Sequence, residues 1–187
     1  MNTRFFVAAS LAIALALASG FAAAEETLLN AILTPLRQKE IVPVDNKTYQ
    51  DECGSCHFAY QPGLLPTKSW EKLLTPEALG NHFGDHAELD KDTLAAIYDY
   101  AIKNAADKSF HKRSRKIAQA TANIEPPLRI TEVRYIKRKH RDIPENMIKG
   151  NKEVKSLSYC DACHTQAARG VFDEDSVNIP NYPDWDD

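Results

Sequence analysis

Cys53-Gly54-Ser55-Cys56-His57 and Cys160-Asp161-Ala162-Cys163-His164 place all four cysteines of the chain in one pattern, a C-x-x-C pair followed at once by histidine. This is the attachment signature of a c-type haem, and its chemistry sets its spacing. Two thiols a helical turn apart can each form a thioether with a haem vinyl group, and the imidazole of the next residue then lies beneath the iron as the proximal ligand. The reading predicts two haem groups held through Cys53, Cys56, Cys160 and Cys163, with His57 and His164 on the irons. A zinc site built from two cysteine knuckles is the first rival. Against it stand the offset of 107 positions from Cys53 to Cys160 and the histidine directly after each pair. A thioredoxin-like dithiol is the second rival, but it would want a single pair beside a β-α-β pattern, which the sequence lacks.

Upstream of the first motif the chain reads as exported. Arg4 precedes an uncharged, mostly apolar run from Phe5 to Ala18, and Ala22-Ala23-Ala24 supplies a small-residue cleavage pattern before Glu25 and Glu26. These are the features of a secretory signal. Cleavage after Ala24 is expected to leave residues 25–187 as a soluble, periplasmic protein without stable membrane insertion. The alternative is an uncleaved anchor, since 20 uncharged residues approach the length of a span. Four cysteines in an oxidising compartment would by default form disulfides, but the two complete motifs account for all of them.

The distal ligands decide whether the irons are closed. Beyond residue 24 the only methionine is Met147, so at most one haem can have a His/Met pair. The histidines outside the motifs are His82, His86, His111 and His140. Thr75-Pro76-Glu77 reads as a helix start, with His82 in the last turn before Gly84 and beside Phe83. His82 is therefore preferred for the first iron over His86, which lies among charges. His111 sits in the basic run Phe110-His111-Lys112-Arg113, where a solvated role is expected. His140 follows the apolar Val133, Tyr135 and Ile136 and is taken for the second iron, with Met147 as its competitor.

The periodicity predicts a mainly α protein. Leu28, Leu29, Ile32, Leu33 and Leu36 fit an amphipathic helix at 25–40, a docking or capping element. Further helices are expected at Thr67–Leu74, Thr75–Phe83 and Asp90–Asn104, the last burying Leu94, Ile97, Tyr98, Ala101 and Ile102. The Pro62-to-Pro66 turn could offer a carbonyl to Nδ1 of His57. Residues 109–128 degrade into basic and small residues and read as a linker. The chain thus divides into a signal (1–24), an N-terminal haem domain (25–108), this linker, and an irregular C-terminal haem domain with few helices (129–187). Each domain is small enough to need its haem as the centre of its core.

Charge is uneven. Residues 103–152 carry 14 Lys and Arg against 5 Asp and Glu, although Asp and Glu outnumber Lys and Arg beyond residue 24, 26 to 22. The run from Arg134 to Arg141 would suggest nucleic acid in a cytosolic protein, but export argues against that. Steering of a redox partner with an acidic patch is the sharper reading, and a solvated face the plainer one.

Several stretches taken together resemble the bacterial soluble dihaem cytochrome c family. They are Tyr49 to Tyr60 around the first motif, Leu64-Leu65-Pro66 with Trp70, His82-Phe83-Gly84, Arg129-Ile130-Thr131-Glu132 leading to Lys139-His140-Arg141, and Cys160 to Gly170. The resemblance implies a class I cytochrome c-like N-terminal haem domain, an unusual C-terminal one, and bis-histidine iron at both sites, His57 with His82 and His164 with His140. It further implies an electron carrier that draws on a membrane b-type cytochrome and donates to an oxygen-binding monohaem cytochrome. A dihaem peroxidase with one open iron and a haem subunit of a larger respiratory complex are the alternatives.

Overall fold

Helices in this protein begin where the sequence supplies a cap. The computed structural model describes residues 40–185, so the expected signal and all but the last residue of the expected helix at 25–40 lie outside it. Asn46 accepts from the backbone N–H of Tyr49 and opens α1 (Lys47–Cys53). That helix carries the first cysteine at its end. Helix α2 (Thr67–Leu73) follows Pro66, and the Thr75 side chain accepts from the N–H of Ala78 to open α3 (Pro76–Gly80). Asp90 caps α4 (Lys91–Lys103) by accepting from the N–H groups of Asp92 and Thr93, which satisfies donors that a helix start leaves unpaired.

Beyond these come α5 (Lys112–Thr121), α6 (Arg134–Lys139), α7 (Glu145–Ile148) and α8 (Cys160–Cys163), with short 3-10 turns at Pro62–Leu64, Ile130–Glu132, Ala167–Arg169 and Glu174–Ser176. Among the described residues the structure is helical with no β-strand, and its only bridges are the isolated pairs His82 with Asp85 and His164 with Val177. None of the described helices is long and apolar enough to cross a membrane.

Helix α4 packs on α1 and α2, burying Ile97 and Ala101 completely, while Leu94, Tyr98 and Ile102, expected in the same buried stripe, are only partly buried against the core. Tyr49 of α1 lies edge-on to Trp70 of α2, whose indole N–H donates to the Pro62 carbonyl at 2.9 Å. The turn at Pro62–Leu64 is thereby fixed from behind.

Two expectations meet a different outcome. Residues 109–128, read as a linker, contain α5, which packs against α6 and the Pro62–Leu64 turn. Its buried stripe is Ser114, Ile117 and Thr121, so most of the buried face is small and polar. Close approach requires this: a Cβ on Gly63 would sit 2.6 Å from the Ser114 hydroxyl. Helix α3 likewise stops at Gly80 rather than Phe83. Asn81 leaves helical geometry, its side chain accepts from the N–H of Gly84 at 3.1 Å, and His82 and Asp85 exchange backbone hydrogen bonds of 2.7 and 3.2 Å across a tight turn. Phe83 (φ 58°) and Gly84 (φ 108°) form its tip.

The buried cluster runs without a break from Ile41 through Leu65, Trp70 and Ile97 to Ile117, Val133 and Tyr135. The described residues, 40–185, accordingly group as one unit, with no division at 109–128. Ile41 donates to the Gly170 carbonyl at 3.0 Å, and the fully buried Gln61 donates to the Ala167 carbonyl at 2.5 Å. The two bonds tie residues on either side of the first motif to the segment just after the second motif.

Candidate functional site

Cys53 is the last residue of α1, and Cys160 to Cys163 form α8, with His164 as its C-cap. No disulfide joins any two of the four cysteines. Burial, with Glu52 nearby, pushes the Cys53 thiol up to about 11, and burial with Asp161 pushes Cys160 up to about 12. Burial also raises Cys163. A reactive dithiol needs the opposite shift, so the thioredoxin-like reading loses its chemistry. Among the described residues no three His, Cys, Asp or Glu side chains are grouped to hold a metal ion, which removes the geometry of a shared zinc site.

The histidines pair across the two halves of each site. The rings of His57 and His82 lie 6.3 Å apart, centre to centre, with planes 23° from parallel. Those of His140 and His164 are 5.9 Å apart at 76°. Two metal–nitrogen bonds of about 2 Å each, plus about 1 Å from each nitrogen to its ring centre, span roughly 6 Å. Both pairs therefore stand at the separation that one metal ion between two imidazoles requires.

Local hydrogen bonds fix which nitrogen is available. Nδ1 of His57 lies 2.7 Å from the Phe58 carbonyl, and Nδ1 of His140 lies 2.9 Å from the Ile136 carbonyl. Carbonyl oxygens only accept, so each Nδ1 carries the proton and each Nε2 keeps its lone pair for a metal. The turn from Pro62 to Pro66, expected to orient His57, does not do so; the Pro62 carbonyl serves Trp70 instead. His140 follows α6 directly as its C-cap, so the helix sets its position and the last-turn Ile136 carbonyl sets its ring.

His164 differs from the others. Its Nδ1 is buried without a protein partner, a cost of about 1–3 kcal/mol unless a bound group or its metal bond compensates. Burial first, then His140 and Arg113, draw its imidazole down to about 4. Burial and the neighbouring His57 also lower His82. Both shifts favour the neutral imidazole, the form that binds metal.

Around His140 and His164 the chain leaves about 1450 Å³ free of protein atoms, part of it open solvent, walled by Ile117, Ile130, Tyr135 and Phe172 and reached by Cys160 and Cys163. Phe172 lies edge-on to the His164 ring at 5.2 Å. Met147, the competitor for the second iron, lines the same space. An apolar chamber with two facing imidazoles and a cysteine pair at its wall has the donor set and the room that a covalently held haem needs.

The remaining histidines are engaged elsewhere. His86 is exposed and lies 3.2 Å from the Glu88 carboxylate. His111 does not have the solvated role expected of it: half-buried at the N-cap of α5, its Nδ1 donates to the Glu40 carbonyl at 2.6 Å. Tyr49, Tyr60, Gln61 and Arg113 surround the sites as well, and sequence reasoning assigned them no role. Tyr60 stacks on His57 at 4.9 Å, and Arg113 bonds Asp173 at 2.8 Å beside the second chamber. Nothing in a lone sequence marks a buried glutamine or a ring-stacking tyrosine as part of a site.

Comparisons with known proteins give the family. A family model described as dihaem cytochrome c matches residues 49–172. The chain is similar to the X-ray structure of a diheme cytochrome type c from Shewanella baltica OS155, with 40% identity over 75% of this chain and 98% of that one, at a TM-score of 0.61. It is also similar to a diheme cytochrome c from Rhodobacter sphaeroides, with 38% identity over 70% of this chain and 99% of that one, again at 0.61. Comparison with the curated proteins found no match. Two attachment motifs, two facing histidine pairs and these likenesses converge: the chain belongs to the dihaem cytochrome c family, and its cofactors are two haem c groups.

Proposed function

We propose that this electron carrier is exported to the periplasm, holds both irons between two histidines, and passes electrons from a membrane b-type cytochrome or similar donor to a soluble haem protein. Cys53 and Cys56 hold one haem, with His57 and His82 on its iron; Cys160 and Cys163 hold the other, with His164 and His140. A haem c supplies one-electron chemistry at its iron. His57 with His82 and His164 with His140 would hold the two irons, and the apolar walls of the chamber would limit access of water, oxygen and peroxide.

The observation that carries this reading is the ring separation, 6.3 Å and 5.9 Å, found twice in one chain. Spectra of the purified protein test it. The pyridine assay should give two haem c per chain, and the reduced protein should show low-spin bands that carbon monoxide leaves unchanged. A native high-spin fraction that takes up carbon monoxide would instead support a peroxidase-type enzyme.

Partner choice rests on the basic stretch, whose field is weaker than the bare count suggests. Lys139 pairs with Glu174 at 2.9 Å, Arg113 with Asp173, Arg141 with Asp142 and Lys149 with Glu145. The acidic segment after the second motif thus folds back onto the basic one. Lys137, Arg138 and Lys139 remain exposed on α6, next to His140. Neutralising these three should slow association with an acidic-patch acceptor, and added salt should do the same, because the Debye length is only about 10 Å at 0.1 M. Neutralising Lys47, Lys68 and Lys91 is the control. Equal losses for the two triple variants in stopped-flow would reduce the basic run to a solvated face.

A further inference from the structure

The two sites meet through a residue that belongs to neither motif. The Tyr60 ring is stacked on the His57 ring at 4.9 Å with planes 27° apart. Its hydroxyl reaches across to the Ser158 carbonyl at 2.5 Å, closing 98 positions of sequence. Ser158 stands two residues before Cys160. Tyr60 is itself held firmly, because the buried Tyr49 donates to its carbonyl at 2.8 Å and Phe58 lies edge-on to its ring at 5.7 Å. The next residue, Gln61, is bonded to the Ala167 carbonyl three positions past His164.

Traced atom to atom, the route from the His57 imidazole to the Cys160 sulfur has one ring-to-ring contact and one hydrogen bond, and the rest is covalent. Electronic coupling decays least along covalent bonds, more across a hydrogen bond, and most across an open gap. A route with a single contact is therefore a favourable one. Resting on the ligand and thioether assignments above, we propose that Tyr60 is the bridge that couples the two haem sites, linking the proximal ligand of the first to the thioether of the second.

The step it serves is a one-electron exchange: one iron goes from ferrous to ferric, the other from ferric to ferrous, and no bond forms or breaks. The phenol is neither oxidised nor deprotonated. It lends orbitals along the route and holds the two ends at a fixed spacing. Tyr60 is thus a positioning and coupling residue rather than a catalytic one.

The test uses the holoprotein and two variants. Tyr60→Phe keeps the stack and removes the hydrogen bond, while Tyr60→Leu removes both. Exchange between the two haems is read by NMR exchange spectroscopy on half-reduced samples, the two potentials by spectroelectrochemistry, and axial ligation from the low-spin bands with and without carbon monoxide. The expected result is an exchange rate that falls several-fold in Tyr60→Phe and further in Tyr60→Leu, with both potentials and the low-spin bands of Tyr60→Phe unchanged. An unaltered rate in Tyr60→Phe and Tyr60→Leu would overturn the proposal and leave Tyr60 as packing. So would a fall no larger than shifted potentials account for. Should Tyr60→Leu lose His57 from the iron, Tyr60→Phe alone decides. Carbon monoxide binding by the unaltered protein would sink the ligand assignment instead, a result separable from any change in rate.

Discussion

Replacing His82 with alanine is expected to convert one low-spin haem of the reduced protein into a high-spin one that binds carbon monoxide, one molecule per chain, while the other haem stays closed. The size of this effect follows from what surrounds His57. The ring that faces it at 6.3 Å is that of His82, and the next imidazole along the chain, His86, is exposed and turned to Glu88. The turn bonds between His82 and Asp85 hold the backbone in place, so His86 has no short path inward. Loss of His82 should leave the position open to water or to an added ligand. His86→Ala and His111→Ala should both keep two low-spin haems, although His111→Ala gives up its bond to the Glu40 carbonyl and about 1 kcal/mol with it. At the second site Met147 lines the chamber and could take the iron once His140 is gone. The informative variant there is His140→Ala combined with Met147→Leu, which should open the iron completely. Carbon monoxide difference spectra check all of these, and an open iron in His86→Ala with none in His82→Ala would reverse the assignment.

Gly170→Ala should be among the most destabilising single-atom-group additions in the chain. Gly170 closes the 3-10 turn Ala167–Arg169 at φ 74°, a conformation that side chains rarely adopt, and a Cβ there would stand 2.0 Å from the Ile41 carbonyl oxygen. Ile41 donates to the Gly170 carbonyl, so relieving the clash also breaks that bond. Backbone strain of about 1–3 kcal/mol and a lost hydrogen bond of about 1 kcal/mol together give about 3 kcal/mol. For a chain of this size that is a fall of about 10 °C in Tm. Gly84→Ala is the comparison: its φ of 108° imposes strain, but nothing lies within 4 Å of the added Cβ. Thermal unfolding of both holoproteins should show a clearly smaller loss for Gly84→Ala. Similar losses would mean that the close approach to Ile41 does not matter.

Much of this arrangement is legible in the sequence where local chemistry speaks. The motifs announce themselves, the caps at Thr75 and Asp90 start α3 and α4, and the stripe of Ile97 and Ala101 is buried as its spacing requires. Elimination among four histidines also brings forward His82 and His140, whose rings face the motif histidines. What escapes is non-local. Helix α5 hides because a helix packed against glycine needs small polar residues on its buried face, and Ser114 and Thr121 carry no hydrophobic signal. The end of α3 escapes too, since the Asn81 side chain, not Gly84, diverts the chain. His111 looks solvated in a basic run because its partner, the Glu40 carbonyl, is 71 positions away. The division at 109–128 follows from the same blindness, because only folded contacts reveal that one core serves both halves.

The bond between Ile41 and Gly170 also bears on the order of assembly. A polypeptide made from its first residue onward holds Ile41 and Gln61 unpartnered until Gly170 and Ala167 exist, so closure waits for the far end of the chain. Ile41 also lines the chamber that Cys160 and Cys163 reach, so this late contact completes the wall of that chamber.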